Sequence, residues 1–248
     1  MGLSGKIITI SELEPLQIQR MFELLNLNFE NASYEIFIHD LSEKDYAIIL
    51  SDDGSGRIEG FSTQMVYSRI YQERQVYIIF SGDTIVDPQH RGSLQLHLLW
   101  GKLILNLQAE CGCKPLYWFL ISKGFRTYRF LPTYFKRYYP HCNCLATEWE
   151  AGLLRQIARE KFGGCFNLST GLIDFGPHAQ RLKQNLVRSD ELRRGADPHI
   201  NYFFQRNPRY HQGVELACLA DCDPSNLKPF ILKRLNRIHL EFNIAAIQ

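Results

Sequence analysis

The sequence lacks both a long apolar run and a strong net charge. Polar interruptions such as LNL, LSE and DDGSGR break every apolar stretch of the 248 residues before it reaches the length of a membrane span. The formal net charge is only +2, which by itself indicates no polyanionic partner. We therefore expect no membrane span and no nucleic-acid partner.

A signal peptide and internal repeats are also missing. The first residues, MGLSGKIITISELEP, contain no long apolar core, so we expect no secretory signal. The chain has no low-complexity segment, and its 45% hydrophobic and 22% charged residues are ordinary for a globular protein with its own core. The sequence therefore predicts a cytoplasmic protein built as one domain over 1–248.

The chain also lacks an even number of cysteines: it has seven, so they cannot all be paired in disulfides. A chain of this size does not need disulfides, so the count favours a reducing, cytoplasmic environment. Cys111-Gly-Cys113 and Cys142-Asn-Cys144 could offer thiolates to zinc, but structural zinc sites usually place about two to four residues between such ligands. We predict small buried side chains here and no metal site.

Alternating and continuous apolar patterns predict a mixed sheet. Ser11, with Glu14 three residues later, predicts the start of a first helix. Gly82 interrupts a strand pattern, which indicates a bulge or a close approach of backbone. The strands are predicted at 6–10, 46–50, 58–67, 75–86, 115–121, 166–175 and 213–220. Further helices are predicted at 32–41, 149–161 and 227–242, and another is predicted to bury Leu94, Leu98, Ile104 and Leu105.

The order of these elements predicts the fold class. A meander that feeds a strand-helix-strand crossover makes an α/β fold, with a mixed, mostly antiparallel sheet flanked by helices on both faces. We expect the core of the domain at about 6–145. The last two strands would be separated by an insert at about 177–211, whose charged and aromatic residues suit a lid or a partner surface. The insert and the last helix are candidate surfaces for a homodimer.

The stretch IVDPQHRG combines a strand end with a new helix start. A strand cannot continue its hydrogen bonds through Pro88, and the helix that follows presents free N–H groups at its positive end. Such a start can bind an anion, and Arg91 adds a positive charge beside it. On local chemistry alone, an ordinary strand-to-helix turn with a surface arginine is the favoured interpretation.

Together, the element order and IVDPQHRG resemble the GNAT (Gcn5-related N-acetyltransferase) superfamily. In that family a hydrophobic-Val-x-Pro-x-x-Arg-Gly stretch ends the fourth strand, and the next helix holds the pyrophosphate of acetyl-coenzyme A. The resemblance covers about 6–139 by element order, with the last two strands as the closing hairpin of the family. It implies that acetyl-CoA or another acyl-CoA is bound by Val86, Arg91, Gly92, Ser93 and Leu94.

The resemblance also implies roles in catalysis. Asp83 stands where the family often has an acidic base, and Tyr134 is nearest in register to the tyrosine that protonates the leaving thiolate, with Tyr138 and Tyr139 close behind. Each of these could instead have a structural role, Asp83 as a solvated strand residue and the tyrosines as core. The implied function is N-acyltransferase, moving an acetyl or longer acyl group from a coenzyme A thioester to a small-molecule or peptide amine.

Two observations leave alternatives open. Counted from Arg91, Leu94 and Leu96 stand where the family has small residues, which favours a catalytically inactive GNAT-fold binding or scaffold protein. The basic, aromatic segment 123–139 could stack on bases of RNA, although the low net charge argues against that. In the insert, Asp190, Glu191, His199 and His211 have no metal-ligand spacing, so we predict exposed loop residues there.

Overall fold

The computed structural model describes residues 2–90, 93–143, 147–193, 195 and 197–236. Within these ranges no helix is both long enough and apolar enough to cross a bilayer. The strands are β1 (Leu3–Thr9), β2 (Phe29–Glu30), β3 (Tyr46–Asp52), β4 (Ile58–Tyr71), β5 (Arg74–Val86), β6 (Leu116–Ser122), β7 (Phe166–Asn167), β8 (Leu172–Ile173), β9 (Arg181–Leu182) and β10 (Glu215–Asp221).

The helices lie between these strands as the crossover pattern requires. They are α1 (Pro15–Asn28), α2 (Tyr34–Ser42), α3 (Gln95–Glu110), α4 (Phe125–Tyr128), α5 (Phe130–Tyr134), α6 (Glu148–Phe162), α7 (Gln184–Glu191), α8 (Pro198–Arg206) and α9 (Pro229–Leu235). Eight strands form one sheet in the order β1-β3-β4-β5-β6-β10-β8-β7, and β2 pairs with β9 separately. The predicted fold class, a mixed, mostly antiparallel sheet flanked by helices, is confirmed.

The described residues fall into two compact units. The first takes in the described parts of 1–27, 32–117 and 222–248, and the second takes in 28–31 and 118–221. The prediction of a single domain stays a prediction.

The first unit is built on an antiparallel meander. Its β3 pairs with β1 and with β4, and β4 pairs with β5 along almost its whole length. The apolar faces of these strands are closed by helices, above all by α3, whose Leu103, Ile104 and Leu107 are fully buried. Burial of such side chains is the main favourable term in folding. This unit holds β5 and the start of α3, where the sequence places the acyl-CoA site.

The second unit is rich in short elements. Its β8 pairs with both β7 and β10, so the predicted pairing of the last two strands is confirmed, although it extends over only two residues of β8. The insert contributes α7 and α8, and α8 buries Phe203 completely. The basic, aromatic segment folds as α4 and α5, with Tyr128 and Tyr134 in the core.

Three predicted elements differ from the structure. Thr9 and Glu12, not Ser11 and Glu14, form the capping box, and it closes a short 3-10 turn before α1. The strand predicted at 166–175 is two short strands, because Asn167 Oδ1 accepts hydrogen bonds from the N–H groups of Ser169 and Thr170 and turns the chain. The last helix is described as α9 only, and the remainder of its predicted range lies outside the described residues.

Candidate functional site

A β-bulge interrupts the pairing of β4 with β5. Ser62 pairs with Thr84 and Gln64 pairs with Ser81, so Thr63 alone lies opposite both Gly82 and Asp83. A bulge of this kind leaves one residue outside the hydrogen-bond ladder and bends the strand locally. The bulge that the sequence predicted at Gly82 is therefore confirmed, and Asp83 occupies its second position with a half-buried side chain.

Gly82 is required at the bulge because other side chains approach its Cα closely. A Cβ atom on Gly82 would lie 2.5 Å from Thr63 Oγ1 and 2.7 Å from Lys44 Cε. Both distances are far below normal van der Waals contact. The backbone of β5 therefore passes directly over polar side chains that a larger residue would displace.

The face of the bulge that meets α2 carries a buried cation. The side chain of Lys44 is fully buried, and its Nζ donates to Asp40 Oδ1 at 2.7 Å and to the Asp40 carbonyl at 2.8 Å. The carboxylate of Asp40 is 39% exposed, so the acidic partner of this ion pair is in contact with solvent. Beside it, Thr63 Oγ1 is buried and has no hydrogen-bond partner among the described residues. Sequence reasoning missed Lys44 and Thr63, because neither lies in a motif.

The opposite face of the bulge is held by a chain of hydrogen bonds. Gln64 Nε2 donates to Ser62 Oγ, Ser81 Oγ donates to Gln64 Oε1, and the hydroxyls of Ser62 and Thr84 lie 2.8 Å apart. Successive residues of a strand point to opposite faces, so this chain lies behind Thr63. Buried polar groups that satisfy one another in this way fix the geometry of a strand pair.

The chain leaves β5 at Val86 and reaches α3 through a short 3-10 turn. Asp87 Oδ1 accepts from the N–H of Gln89 and stabilises that turn, and Val86 is half-buried. Ser93 Oγ accepts from the N–H of Gln95, at 3.2 Å, and so satisfies one donor of the first turn. The predicted ligands Arg91 and Gly92 lie outside the described residues.

The two leucines near the start of α3 have different environments. Leu94 is the N-cap residue and is 49% exposed, so the predicted burial of Leu94 is wrong. Leu96 is 3% exposed and belongs to the core. Within the predicted stripe, Ile104 is fully buried as predicted, and Leu98 and Leu105 are half-buried. The buried face of the helix also runs through Leu96, Leu99 and Leu103.

Tyr134 closes α5 in the second unit. It is 1% exposed, and its ring stacks on Phe130 with centroids 6.0 Å apart. Burial raises the pKa of Tyr134 well above its ordinary value, so this tyrosine keeps its proton. The neighbouring candidates have other partners: Tyr138 hydrogen-bonds to His199 Nδ1, and the backbone of Tyr139 pairs with Leu219.

Of the four insert residues predicted to be exposed, Glu191 and His211 are exposed, whereas Asp190 and His199 are not. Asp190 is fully buried on α7, where Arg126 forms an ion pair with its carboxylate. His199 is in the first turn of α8 and lies beside His141 and Cys142. A charged residue is buried only when it is paired, and no spacing rule links residues this far apart in sequence.

Comparison with known proteins finds similarity only among solved structures. No family model matches the chain, and no curated protein matches it. A probable N-acyltransferase from Enterococcus faecalis matches 52% of this chain at 14% identity with a TM-score of 0.41, and the match spans 31% of that protein.

Two further matches cover more of the other chain. Arabidopsis thaliana NAA60, solved with acetyl-CoA, matches 59% of this chain and 92% of its own at 13% identity, with a TM-score of 0.41. The GNAT family N-acetyltransferase YhbS from Escherichia coli, solved with CoA, matches 52% of this chain and 69% of its own at 19% identity, with a TM-score of 0.37. All three matches have low sequence identity; one of the three proteins is described as a probable N-acyltransferase and another as a GNAT family N-acetyltransferase.

Proposed function

We propose that the chain is an N-acyltransferase that moves an acetyl or longer acyl group from a coenzyme A thioester to an amine. The observation that carries the proposal is the bulge at Gly82 and Asp83 in β5, a strand that ends at Val86 before the 3-10 turn that precedes α3. The bulge supplies a main-chain donor outside the ladder, and the helix start supplies an anion site. An acyl-CoA would need both, the main-chain donor for its thioester carbonyl and the anion site for its pyrophosphate.

Residues at the start of α3 would hold the pyrophosphate. Ser93 and Leu94 would supply main-chain atoms at the positive end of a 16-residue helix. Arg91 and Gly92, which lie outside the described residues, would complete the site as the family resemblance implies. Leu94 is 49% exposed, so its side chain does not fill the core at this position. Val86, at the end of β5, would contact the pantetheine arm next to the bulge.

The reaction requires three catalytic groups from the protein: a general base, a donor to the oxyanion and a general acid. Asp83 would accept the proton of the attacking amine, whose nitrogen forms a bond to the thioester carbonyl carbon. A main-chain N–H of the bulge would stabilise the oxyanion that develops on the carbonyl oxygen. As the bond from carbon to sulfur breaks, Tyr134 would donate a proton to the thiolate. Burial raises the pKa of Tyr134, so its hydroxyl carries that proton at neutral pH. The products are the amide and free coenzyme A.

The acceptor would be a small-molecule or peptide amine. Asp40, partly exposed and beside the bulge, is ion-paired with Lys44, and its carboxylate would accept a hydrogen bond from the amine.

Binding of acyl-CoA is the first test. Acetyl-CoA and longer acyl-CoAs should each be titrated into the full chain while thermal unfolding is followed. A ligand present at a hundredfold its dissociation constant should stabilise the fold by about 2.7 kcal/mol. If no thioester shifts the melting temperature, the proposal is wrong and the inactive scaffold interpretation takes its place.

Turnover by an Asp83→Asn variant tests the base. Release of free thiol should be followed with a panel of amines over a range of pH. Loss of a general base should lower kcat by roughly 10²- to 10⁴-fold and remove the acidic limb of the pH profile, with acyl-CoA binding unchanged. Asp53→Asn, an exposed carboxylate in the turn before β4, is the matched control and should keep wild-type kcat. Equal rates for D83N and D53N would remove Asp83 from the mechanism.

A further inference from the structure

His141, Cys142 and His199 form a cluster of metal-ligating side chains within the second unit. One ligand atom from each residue lies within 4.8 Å of the other two, and all three side chains are half-buried. The Sγ of Cys142 is 3.3 Å from His199 Nδ1. In tetrahedral zinc with bonds of about 2.0 Å to nitrogen and about 2.3 Å to sulfur, two such ligands lie about 3.5 Å apart. The observed spacing is therefore that of two corners of a coordination tetrahedron.

Rigid parts of the fold hold the cluster together from both sides. The segment that carries His141 and Cys142 follows Pro140, whose carbonyl accepts a hydrogen bond from the buried Tyr128 hydroxyl at 2.9 Å. The ring of Tyr128 also contacts Phe203 of α8, with centroids 5.8 Å apart. Since α8 carries His199, the same buried tyrosine positions both halves of the cluster. Sites preorganised in this way bind metal without a large rearrangement.

The position of His199 is fixed by the start of its helix. Asp197 caps α8 and accepts from the His199 N–H at 2.7 Å. Its carboxylate also places a negative charge close to the cluster, partly balanced by Arg129 at 3.5 Å. A nearby carboxylate favours a bound cation.

Tyr138 borders the cluster on its remaining side. Its hydroxyl is 2.9 Å from His199 Nδ1, and its ring centroid is 4.4 Å from that of His141. Three protein ligands leave a fourth position of a tetrahedral ion for water or another small ligand. A metal bound at His199 Nδ1 would displace the hydrogen bond from Tyr138 and leave that hydroxyl available to a ligand in the fourth position.

We propose that His141, Cys142 and His199 bind one Zn²⁺ or chemically similar divalent cation and so fasten the segment after Pro140 to α8. Two imidazoles and one thiolate form a ligand set that selects zinc-like ions over Mg²⁺ and Ca²⁺, which prefer oxygen. On binding, a bond forms between the metal and sulfur, and the thiol proton passes to solvent. Cys144, two residues from Cys142, lies outside the described residues and is no part of the proposed site. The proposal does not depend on acyl transfer.

Metal titration of the full chain tests the proposal. After treatment with a chelator and its removal, the protein should bind one equivalent of Zn²⁺ by calorimetry. With Co²⁺ as the probe, the spectrum should show the ligand-field bands of a tetrahedral ion and a thiolate-to-metal charge-transfer band. Cys142→Ser should remove the charge-transfer band, and His199→Gln should weaken Zn²⁺ binding at least tenfold. Cys113→Ser and His39→Gln, which change an exposed thiol and an exposed imidazole, are matched controls and should bind as the wild type does.

Alkylation provides a readout that does not depend on the folding of the variants. Zn²⁺ should protect Cys142 of the wild-type chain from iodoacetamide while Cys113 still reacts, and peptide mass spectrometry separates the two. The proposal is overturned if the wild-type chain binds no Zn²⁺, if C142S and H199Q bind as well as C113S and H39Q, or if Zn²⁺ leaves the rate of Cys142 alkylation unchanged.

Discussion

Gly82 shows how one residue sets the geometry of the candidate active site. The glycine allows β5 to pass within contact distance of Thr63 and Lys44, and Asp83 follows it at the second position of the bulge. A glycine inside an otherwise apolar strand pattern is a local signal, so sequence alone was enough to find this position.

Gly82→Ala should destabilise the protein. The added methyl group must displace Thr63 Oγ1 or the buried Lys44 side chain, and overpacking of this kind costs about 1–3 kcal/mol. Urea unfolding measures the loss. Gly164→Ala is the matched control, because a Cβ there meets no atom within 4 Å, and its stability should change by less than about 0.5 kcal/mol. Equal effects of the two substitutions would show that the space at Gly82 is not limiting.

Other residues could not be identified without coordinates. His199 and Cys142 are 57 positions apart, and Arg126 and Asp190 are 64 apart. Their partnership results from the packing of the insert, which no periodicity or motif in the sequence encodes. The burial of Asp190 in particular contradicts the usual exposure of an aspartate in a polar segment, and only its ion pair with Arg126 explains it.

At the scale of elements, strong periodicity was a reliable guide. The long hairpin of β4 and β5, the buried strand β6 and the amphipathic α6 lie close to where apolar patterning predicted them. The predictions failed where side chains hydrogen-bond to nearby backbone. The capping box forms at Thr9 rather than at Ser11, and hydrogen bonds to Asn167 divide a predicted strand into two. Such competition between local hydrogen bonds and regular structure is decided by geometry that a residue pattern does not contain.

The contact of α3 with α9 gives a prediction at this scale. Gly101 faces Leu235, whose methyl carbons would lie 2.8 and 2.9 Å from a Cβ on residue 101. Gly101→Ala improves helix propensity by about 1 kcal/mol but clashes with Leu235. In a Leu235→Ala background the clash is gone, so the same substitution should be more favourable there by about 1–2 kcal/mol.

Urea unfolding of the wild type, G101A, L235A and the double variant measures this coupling. Leu235 is fully buried, so L235A alone should cost about 2–5 kcal/mol and serves as an internal standard. An identical effect of G101A in both backgrounds would mean that the two helices do not meet at these residues.

At the scale of the whole molecule, the order of elements predicted the fold class, while motif matching located the candidate site only in part. The meander and the strand-helix-strand crossover have few alternative arrangements, so their order was sufficient. The division of the described residues into two compact units was not predicted, because it follows from which long-range contacts form rather than from any break in composition.

Acid stability is a property of the whole chain that His97 should influence. Burial on α3 lowers the pKa of His97 to about 4. Below the ordinary histidine pKa of about 6.5, the imidazole of His97 binds a proton in the unfolded chain but stays neutral in the folded chain. The free energy of unfolding should therefore fall as the pH drops from about 6.5 to about 4, by up to about 3 kcal/mol.

The difference in unfolding free energy between wild type and His97→Gln isolates this effect. As the pH falls, the wild type should lose stability relative to His97→Gln, because glutamine takes up no proton. His39→Gln, which alters an exposed histidine, should leave the pH dependence as it is. A constant difference between wild type and H97Q from pH 7 to pH 4 would contradict the burial of a neutral imidazole.

The enclosure of Lys44 has a chemical consequence of its own. A protein that carried out the proposed acyl transfer would risk modifying its own lysines, and an amine becomes a target only when its lone pair is free and can be reached. The Lys44 side chain is fully buried beside the bulge and bonded to Asp40. Lys44 would thereby be kept from competing with the proposed acceptor.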